Sequence, residues 1–242
     1  MKKPHGSVNY GAFMHKGDTN MSTGNMPKIT KECVENVVDK KFLRVFDLKY
    51  EEGRHYFDAT RRSFDKLVAP MSEDEFKAMT PDAVSCVVIV ELPGKEPQLL
   101  FSYEFRYPTG RFLLGVPAGL VDPEDEETEN PLIETAKREI FEETGIVVDE
   151  NRDELFVINK LLFSSPGMTD ESNALVCVKL RLENLDMLDQ TGALGQECFD
   201  GFELITKDKA KELLKAGVDD HGHFYSVYTW AALMYFVSEM WK

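Results

Sequence analysis

The stretch REIFEETG occupies residues 138–145 and follows a glycine-bearing turn, GVPAGL, at 115–120. An α-helix advances about 100° per residue, so Glu139, Glu142 and Glu143, at offsets of three and four, fall on one arc of its surface. Like charges on one arc repel unless something positive sits among them. A solvated acidic face is the plain reading of such a run; a divalent-cation site on a rigid helix is the sharper one. Asn130 with Pro131 marks where the helix starts, and Gly145 suits the left-handed residue that follows a helix. Ile133, Ala136, Ile140 and Phe141 are expected to form a packing stripe beside the carboxylates.

Around this segment the pattern alternates. VSCVVIVEL (84–92) reads as a buried strand and PQLLFSYEFRY (97–107) as its hairpin partner, followed by RFLLGVPA (111–118). Strands resume at ELFVINKLLF (154–163), NALVCVKLRL (173–182) and FDGFELI (199–205), with helices at 207–217 and 224–240. Ahead of them, FLRVFDLKYE and HYFDATRRSF (42–64) read as a hairpin, and MSEDEFKAMTPDA (71–83) as a polar junction. The expected organisation is a poorly ordered extension over 1–38, a small antiparallel β subdomain over 39–80 and the main domain over 81–242. The fold class is α+β, a mixed sheet sandwiched between helices.

The 242 residues carry a formal net charge of −15, which argues against a nucleic-acid backbone as partner. A small anionic substrate stays compatible, because a bound metal supplies local positive charge. No apolar core follows the MKK start, so no secretory signal is expected, and WAALMYFV (230–237) is too short to span a bilayer. Cys33, Cys86, Cys177 and Cys198 show no metal-ligand spacing and fit a reducing, cytoplasmic compartment. His221 and His223, in an Asp/Gly-rich stretch, read as a surface loop, and the acidic run at 124–127 as a solvated insertion.

Residues 119–146 resemble the Nudix box, G-x5-E-x7-R-E-U-x-E-E-x-G-U, where U is aliphatic. Arg138 through Ile146 match every specified position of its second half. Counted back from Arg138, the first half falls out of register, so that an insertion lies before the helix and Glu127 or Glu129 stands in for the first Glu. The flanking Phe105, Arg106, Tyr107 and Pro108, with Val116, Pro117, Ala118 and Gly119, look like the ADP-ribose pyrophosphatase branch; Gly115 departs from it where that branch often has Glu.

The resemblance implies an α/β/α sandwich and hydrolysis of ADP-ribose to AMP and ribose 5-phosphate, dependent on Mg²⁺ or on Mn²⁺ in its place. The alternatives are another nucleoside diphosphate sugar or a dinucleotide as substrate, or a non-catalytic sensor. Implied metal ligands are Glu139, Glu142, Glu143 and the Ala118 carbonyl, with Gly119 allowing close backbone approach and Arg138 orienting a box carboxylate. Glu171, on the Pro-Gly loop SSPGMTDES, is the candidate proton acceptor, with Asp170 as the near alternative. Arg106, Phe105, Gly119 and, more weakly, Arg111 are candidate substrate contacts, although 105 and 106 point to opposite faces of a strand. Arg61 and Arg62 either reach across a dimer or lie on a solvated face. The expected partners are a small nucleoside diphosphate and a second copy of the chain joined through the N-terminal β subdomain, with no nucleic acid and no membrane.

Overall fold

A computed structural model describes residues 27–190 and 197–242. The extension expected at the N-terminus therefore lies outside the described residues as far as residue 26.

Three strands, β1 (Val34–Asp39), β2 (Arg44–Glu51) and β3 (Arg54–Thr60), form an antiparallel sheet in the order β1-β2-β3. The hairpin of β2 and β3 matches the sequence reading. The first strand begins ahead of residue 39, inside the stretch read as extension. It is an exposed edge strand whose register shifts between Asn36 and Val38, so it lacks the alternation that would reveal it. Phe46, Leu48 and Leu67 make a small core beneath this sheet. The junction contains a short helix, α1 (Glu73–Ala78), closed by a reciprocal capping box between Ser72 and Glu75. No residue of α1 is buried, so no apolar stripe announced it.

The main sheet runs β10-β5-β4-β9-β8, built from β4 (Ala83–Glu91), β5 (Gln98–Arg106), β8 (Glu154–Phe163), β9 (Ser172–Arg181) and β10 (Phe199–Ile205). Two short strands extend it: β6 (Arg111–Gly115) on β5 and β7 (Ala118–Leu120) on β4. The β4–β9 pair is parallel and the other pairs are antiparallel, so the sheet is mixed. Strand β4 is covered on both faces, which is why it reads as an unbroken apolar run. Its residues Val84, Cys86, Val88 and Val90 meet Ala136 and Ile140 of α3 (Pro131–Thr144). On the other face, Val87 and Ile89 join a core with α4 (Lys207–Ala216) and α5 (Val227–Ser238), through Ala210, Leu213, Leu233 and Phe236. The α+β sandwich with its small N-terminal sheet is thus as expected.

The face of α3 needs correction. Its buried positions are Thr135, Ala136, Glu139, Ile140, Glu143 and Thr144, while Phe141 is 55% exposed. Two of the three carboxylates therefore lie on the buried stripe itself rather than beside it. Helix α5 starts at Val227, three residues later than read, because the Ser226 side chain caps it by accepting from the Thr229 N–H. None of the described helices is long and apolar enough to cross a membrane.

Candidate active site

Strand β7 brings the 115–120 turn against α3. A Cβ on Gly119 would sit 1.8 Å from Glu139 Oε1, so only glycine leaves room for that carboxylate against the backbone. One residue earlier, the Ala118 N–H donates to Glu143 Oε1 at 2.9 Å. The close turn-to-helix approach thus seats two buried acids.

Arg138 ties the rest together. Its Nη1 donates to Glu139 Oε1 at 2.7 Å and to Glu142 Oε2 at 3.3 Å, and its Nη2 donates to the Leu120 carbonyl at 2.7 Å. Both Nε and Nη2 reach Asp125 Oδ2, at 3.3 and 3.0 Å. Asp125 lies on α2 (Pro123–Glu126), is 8% exposed and also accepts from the Thr135 hydroxyl at 3.0 Å.

This corrects two readings. The acidic run is not wholly solvated, because Asp125 is buried between α2 and α3 while Glu124, Glu126 and Glu127 face water. Neither Glu127 nor Glu129, both exposed, supplies the carboxylate that meets Arg138. Counting forward from Gly119 would have found it, since five residues separate Gly119 from Asp125. The insertion therefore lies after this acid, between it and Arg138.

Burial pushes the Glu139 carboxyl up to about 7, with Glu142 adding to the rise and Arg138 opposing it. Burial likewise holds Glu143 well above the usual carboxylate range against the stabilising Ala118 N–H, and nearby Glu139, Glu104 and Glu197 add to it. Glu104 is raised by its own burial and by Glu197, with Arg106 opposing. Glu104 and Glu197 are members of the acidic cluster that sequence reasoning missed. Glu104 shares a strand face with Arg106, a period-two signal that was available; Glu197 lies far along the chain and gave none.

Among the described residues, no three Asp, Glu, His or Cys side chains converge as a ready cation cage. Glu139 and Glu142 share Arg138, and Glu143 turns to the Ala118 amide. The donors nevertheless fit a hard divalent cation. They are carboxylate oxygens, their crowding favours added positive charge, and the glycine cradle leaves one of them against an open turn.

A cleft of about 470 Å³ opens beside this helix-and-turn unit, and Arg61, Arg106, Gly119, Glu171, Asn173 and Tyr228 are among its walls. Arg106 Nη2 pairs with Glu104 Oε2 at 2.5 Å, and Arg61 Nε with Glu171 Oε1 at 3.0 Å. The structure thus brings Arg106, Gly119, Ala118 and Glu171 to one cleft. Phe105 and Arg111 are not with them. They line a separate hollow of about 400 Å³ with Phe112, His221 and His223, because alternation along β5 turns Phe105 to the opposite face from Arg106.

The segment bearing Glu171 is fastened to strand β3. Tyr56 donates to the Gly167 carbonyl at 2.6 Å, and the Ala59 N–H donates to that of Met168 at 3.1 Å. Arg61 Nε reaches Glu171 and Arg62 Nη2 reaches Asp82 within the chain; Arg62 is nearly buried and so is not on a solvated face, while Arg61 keeps about half of its side chain in solvent. His223 Nδ1 lies 3.2 Å from the Phe112 carbonyl, and its ring stacks on His221 with centroids 6.2 Å apart. That loop closes the second hollow.

The family model of the NUDIX domain matches residues 79–227, more than half of the chain. The chain belongs to the Nudix family. A curated Nudix hydrolase of Schizosaccharomyces pombe, itself uncharacterized, is 32% identical over 124 residues, which cover 51% of this chain and 53% of that protein. Putative nudix hydrolase 2 of Caenorhabditis elegans is 36% identical over 97 residues, 40% of this chain and 39% of the other. The matches thus span about half and about two-fifths of these relatives' lengths. A crystal structure of an ADP compounds hydrolase superposes with a TM-score of 0.52 at 19% identity, covering 86% of this chain and 90% of that one. At that identity the likeness is one of fold. Counted forward from Gly119, the box pattern falls on the unit formed by β7, α2 and α3 and meets Asp125 where it specifies its first Glu.

Proposed function

We propose that this Nudix chain hydrolyses the diphosphate of ADP-ribose to AMP and ribose 5-phosphate. The observation that carries the reading is the cleft that joins the box turn at Gly119 to Arg61, Arg106 and Glu171. A P–O–P bridge needs cations around its oxygens, a water in line with one phosphorus, and an acceptor for that water's proton. Glu139, Glu142 and Glu143, with the Ala118 carbonyl, would hold Mg²⁺ or Mn²⁺, which supplies charge neutralisation and acidifies bound water. Arg106 and Arg61 would bind phosphate oxygens, and each is paired with a carboxylate that a diphosphate would displace. Glu171 takes the water's proton as the new P–O bond forms and the bridging P–O bond breaks. Arg138, fixed by Asp125, holds Glu139 and Glu142 in place.

A second substrate class has its own support. Gly115 walls the cleft, and a Cβ there would come no closer than 4.0 Å to any neighbour, the Leu113 and Ser102 carbonyls, so there is room where the ADP-ribose branch often carries Glu. Another nucleoside diphosphate sugar or a dinucleotide would use that room. We further propose a cytoplasmic homodimer joined through the N-terminal sheet. The four cysteines are unpaired, and Val37, Val38, Phe42, Leu43 and Phe57 expose apolar side chains on or beside that sheet. Light scattering that gives the mass of a single chain removes the dimer.

The test of the reaction is AMP release from ADP-ribose, with and without Mg²⁺, for the wild type and Glu142→Gln, beside a panel of nucleotide sugars and dinucleotides. Metal-dependent cleavage of ADP-ribose that falls by about 10³-fold in the variant is the expected result. Preference for another panel member transfers the proposal to that substrate. Binding of ADP-ribose without turnover of anything on the panel overturns hydrolysis and leaves a sensor.

A further inference from the structure

We propose that Arg62 is the positioning residue of Glu171, so that the N-terminal sheet sets, within a single chain, where the proton acceptor stands. The inference rests on the reading of Glu171 as that acceptor and goes beyond it.

Arg62 is a deeply buried cation, with its side chain only 9% exposed. Its Nη2 donates to Asp82 Oδ2 at 2.7 Å, to Ser172 Oγ at 3.1 Å and to the Thr80 carbonyl at 3.4 Å. Its Nε lies 3.9 Å from Asp170 Oδ2 and has no hydrogen-bond partner. Asp82 in turn accepts from both the N–H and the hydroxyl of Ser172, at 2.9 and 3.0 Å. On the other side of Glu171, the Asp170 N–H donates to Asp58 Oδ1 at 3.0 Å, and Asp170 Oδ2 accepts from the Val68 N–H at 3.2 Å. Residues 170 and 172 are thus both pinned to groups that the N-terminal subdomain and its junction supply. Glu171 uses its own main chain locally: its N–H donates to the Thr169 hydroxyl and its carbonyl accepts from the Ser164 N–H. Only its side chain is left to point into the cleft, where Arg61 holds it.

A buried guanidinium is an expensive way to join two pieces of chain, since it must be stripped of water before it is paired, and apolar side chains would join them at less cost. What it supplies here is direction. A misplacement of about 1 Å in a reacting group costs about 10²-fold in rate, and Arg62 holds both the Ser172 hydroxyl and Asp82, the carboxylate that fixes the Ser172 N–H one residue from the acceptor, with directional charge-assisted hydrogen bonds that apolar contact cannot reproduce.

A double-mutant cycle on the full chain tests this. Arg62→Gln, Arg62→Lys and Ser172→Ala are each made alone and on a Glu171→Gln background. For each, kcat and KM are measured on ADP-ribose with Mg²⁺, and amide exchange over 164–172 is followed in the metal-free protein. Arg62→Gln is expected to lower kcat by about 10²-fold with KM held within about threefold, to speed exchange over 164–172, and to cause no further loss where Glu171 is already Gln. Arg62→Lys is expected to recover part of the rate. If Arg62→Gln does not fold, Ser172→Ala carries the cycle, because it removes the hydroxyl that Arg62 and Asp82 share without leaving a charge unpaired. Losses that add in full to Glu171→Gln, or that fall on KM alone, overturn the proposal. Wild-type kcat in Glu171→Gln overturns the acceptor role and this proposal with it. A wild type that turns over nothing overturns hydrolysis only; the exchange data then decide, and unchanged exchange in Arg62→Gln overturns the positioning as well.

Discussion

The box helix and the 164–172 segment both carry carboxylates at the site, Glu171 on the cleft wall and Glu139 behind the Gly119 turn that lines it, yet they are held by different means. In α3 the acids are spaced by the helix itself, and their main cation, Arg138, is their neighbour in sequence. In the 164–172 segment the backbone is held by groups more than a hundred residues away, from Tyr56 to Ala59. A helix sets geometry by local repetition, so its spacing survives changes elsewhere. A fastened loop has only the geometry that its partners impose. The comparison teaches that the half of this site proposed to hold a metal is local and the half proposed to accept a proton is tertiary.

The sharpest way to break the comparison is at the turn against which a helix acid packs. Gly119→Ala places a methyl where Glu139 Oε1 now sits, 1.8 Å away. The carboxylate end can swing aside, so the fold survives with a small change in Tm, while turnover is expected to fall by about 10²-fold. A variant of near wild-type activity would show that Glu139 does not need its place against the turn.

A smaller effect is expected at Asp125, which supports Arg138 from outside the helix. Asp125→Asn should lower kcat by about 10- to 100-fold, whereas Glu127→Gln and Glu129→Gln, at exposed positions, should match the wild type. Equal losses in all three would undo the assignment of Asp125 to the box.

The smallest effect belongs to the fastened loop and is read as stability against pH. Burial, with Asp170 close by, pushes Asp58 up to about 6 from the usual 3.8. A carboxyl raised in the folded state binds its proton more tightly there than in the unfolded chain. Its contribution is therefore complete below about pH 4 and is lost as pH rises through about 6. Asn at this position cannot ionise. Calorimetry from pH 4 to 8 should show the Tm of the wild type declining relative to Asp58→Asn across that window, and a constant difference would remove Asp58 as the source.

Much of the fold was legible because each element advertises its own period. The unbroken run of β4, the turn residues around β5 and the Asn130-to-Gly145 bounds of α3 all correspond to observed elements. Strand β1 and helix α1 escaped because neither buries an apolar face. In the site, the alternation along β5 already separated Phe105 from Arg106, and the hollow lined by Phe105 and Arg111 is its consequence. Asp125 was hidden by counting back from Arg138 across an insertion, although the forward count from Gly119 reaches it.

By itself the sequence determined the carboxylate-bearing helix, the glycine turn ahead of it and the two-sided burial of the central strand, because these follow from residues within a few positions of one another. Only the tertiary structure decided that Glu139 and Glu143 lie on the buried stripe and that Asp125 is the acid that meets Arg138. It also decided that Arg61 and Arg62 close on the Glu171 segment of their own chain. Those contacts join residues 13 to 110 positions apart, and no local period records which distant side chain will fill a given space or satisfy a given charge.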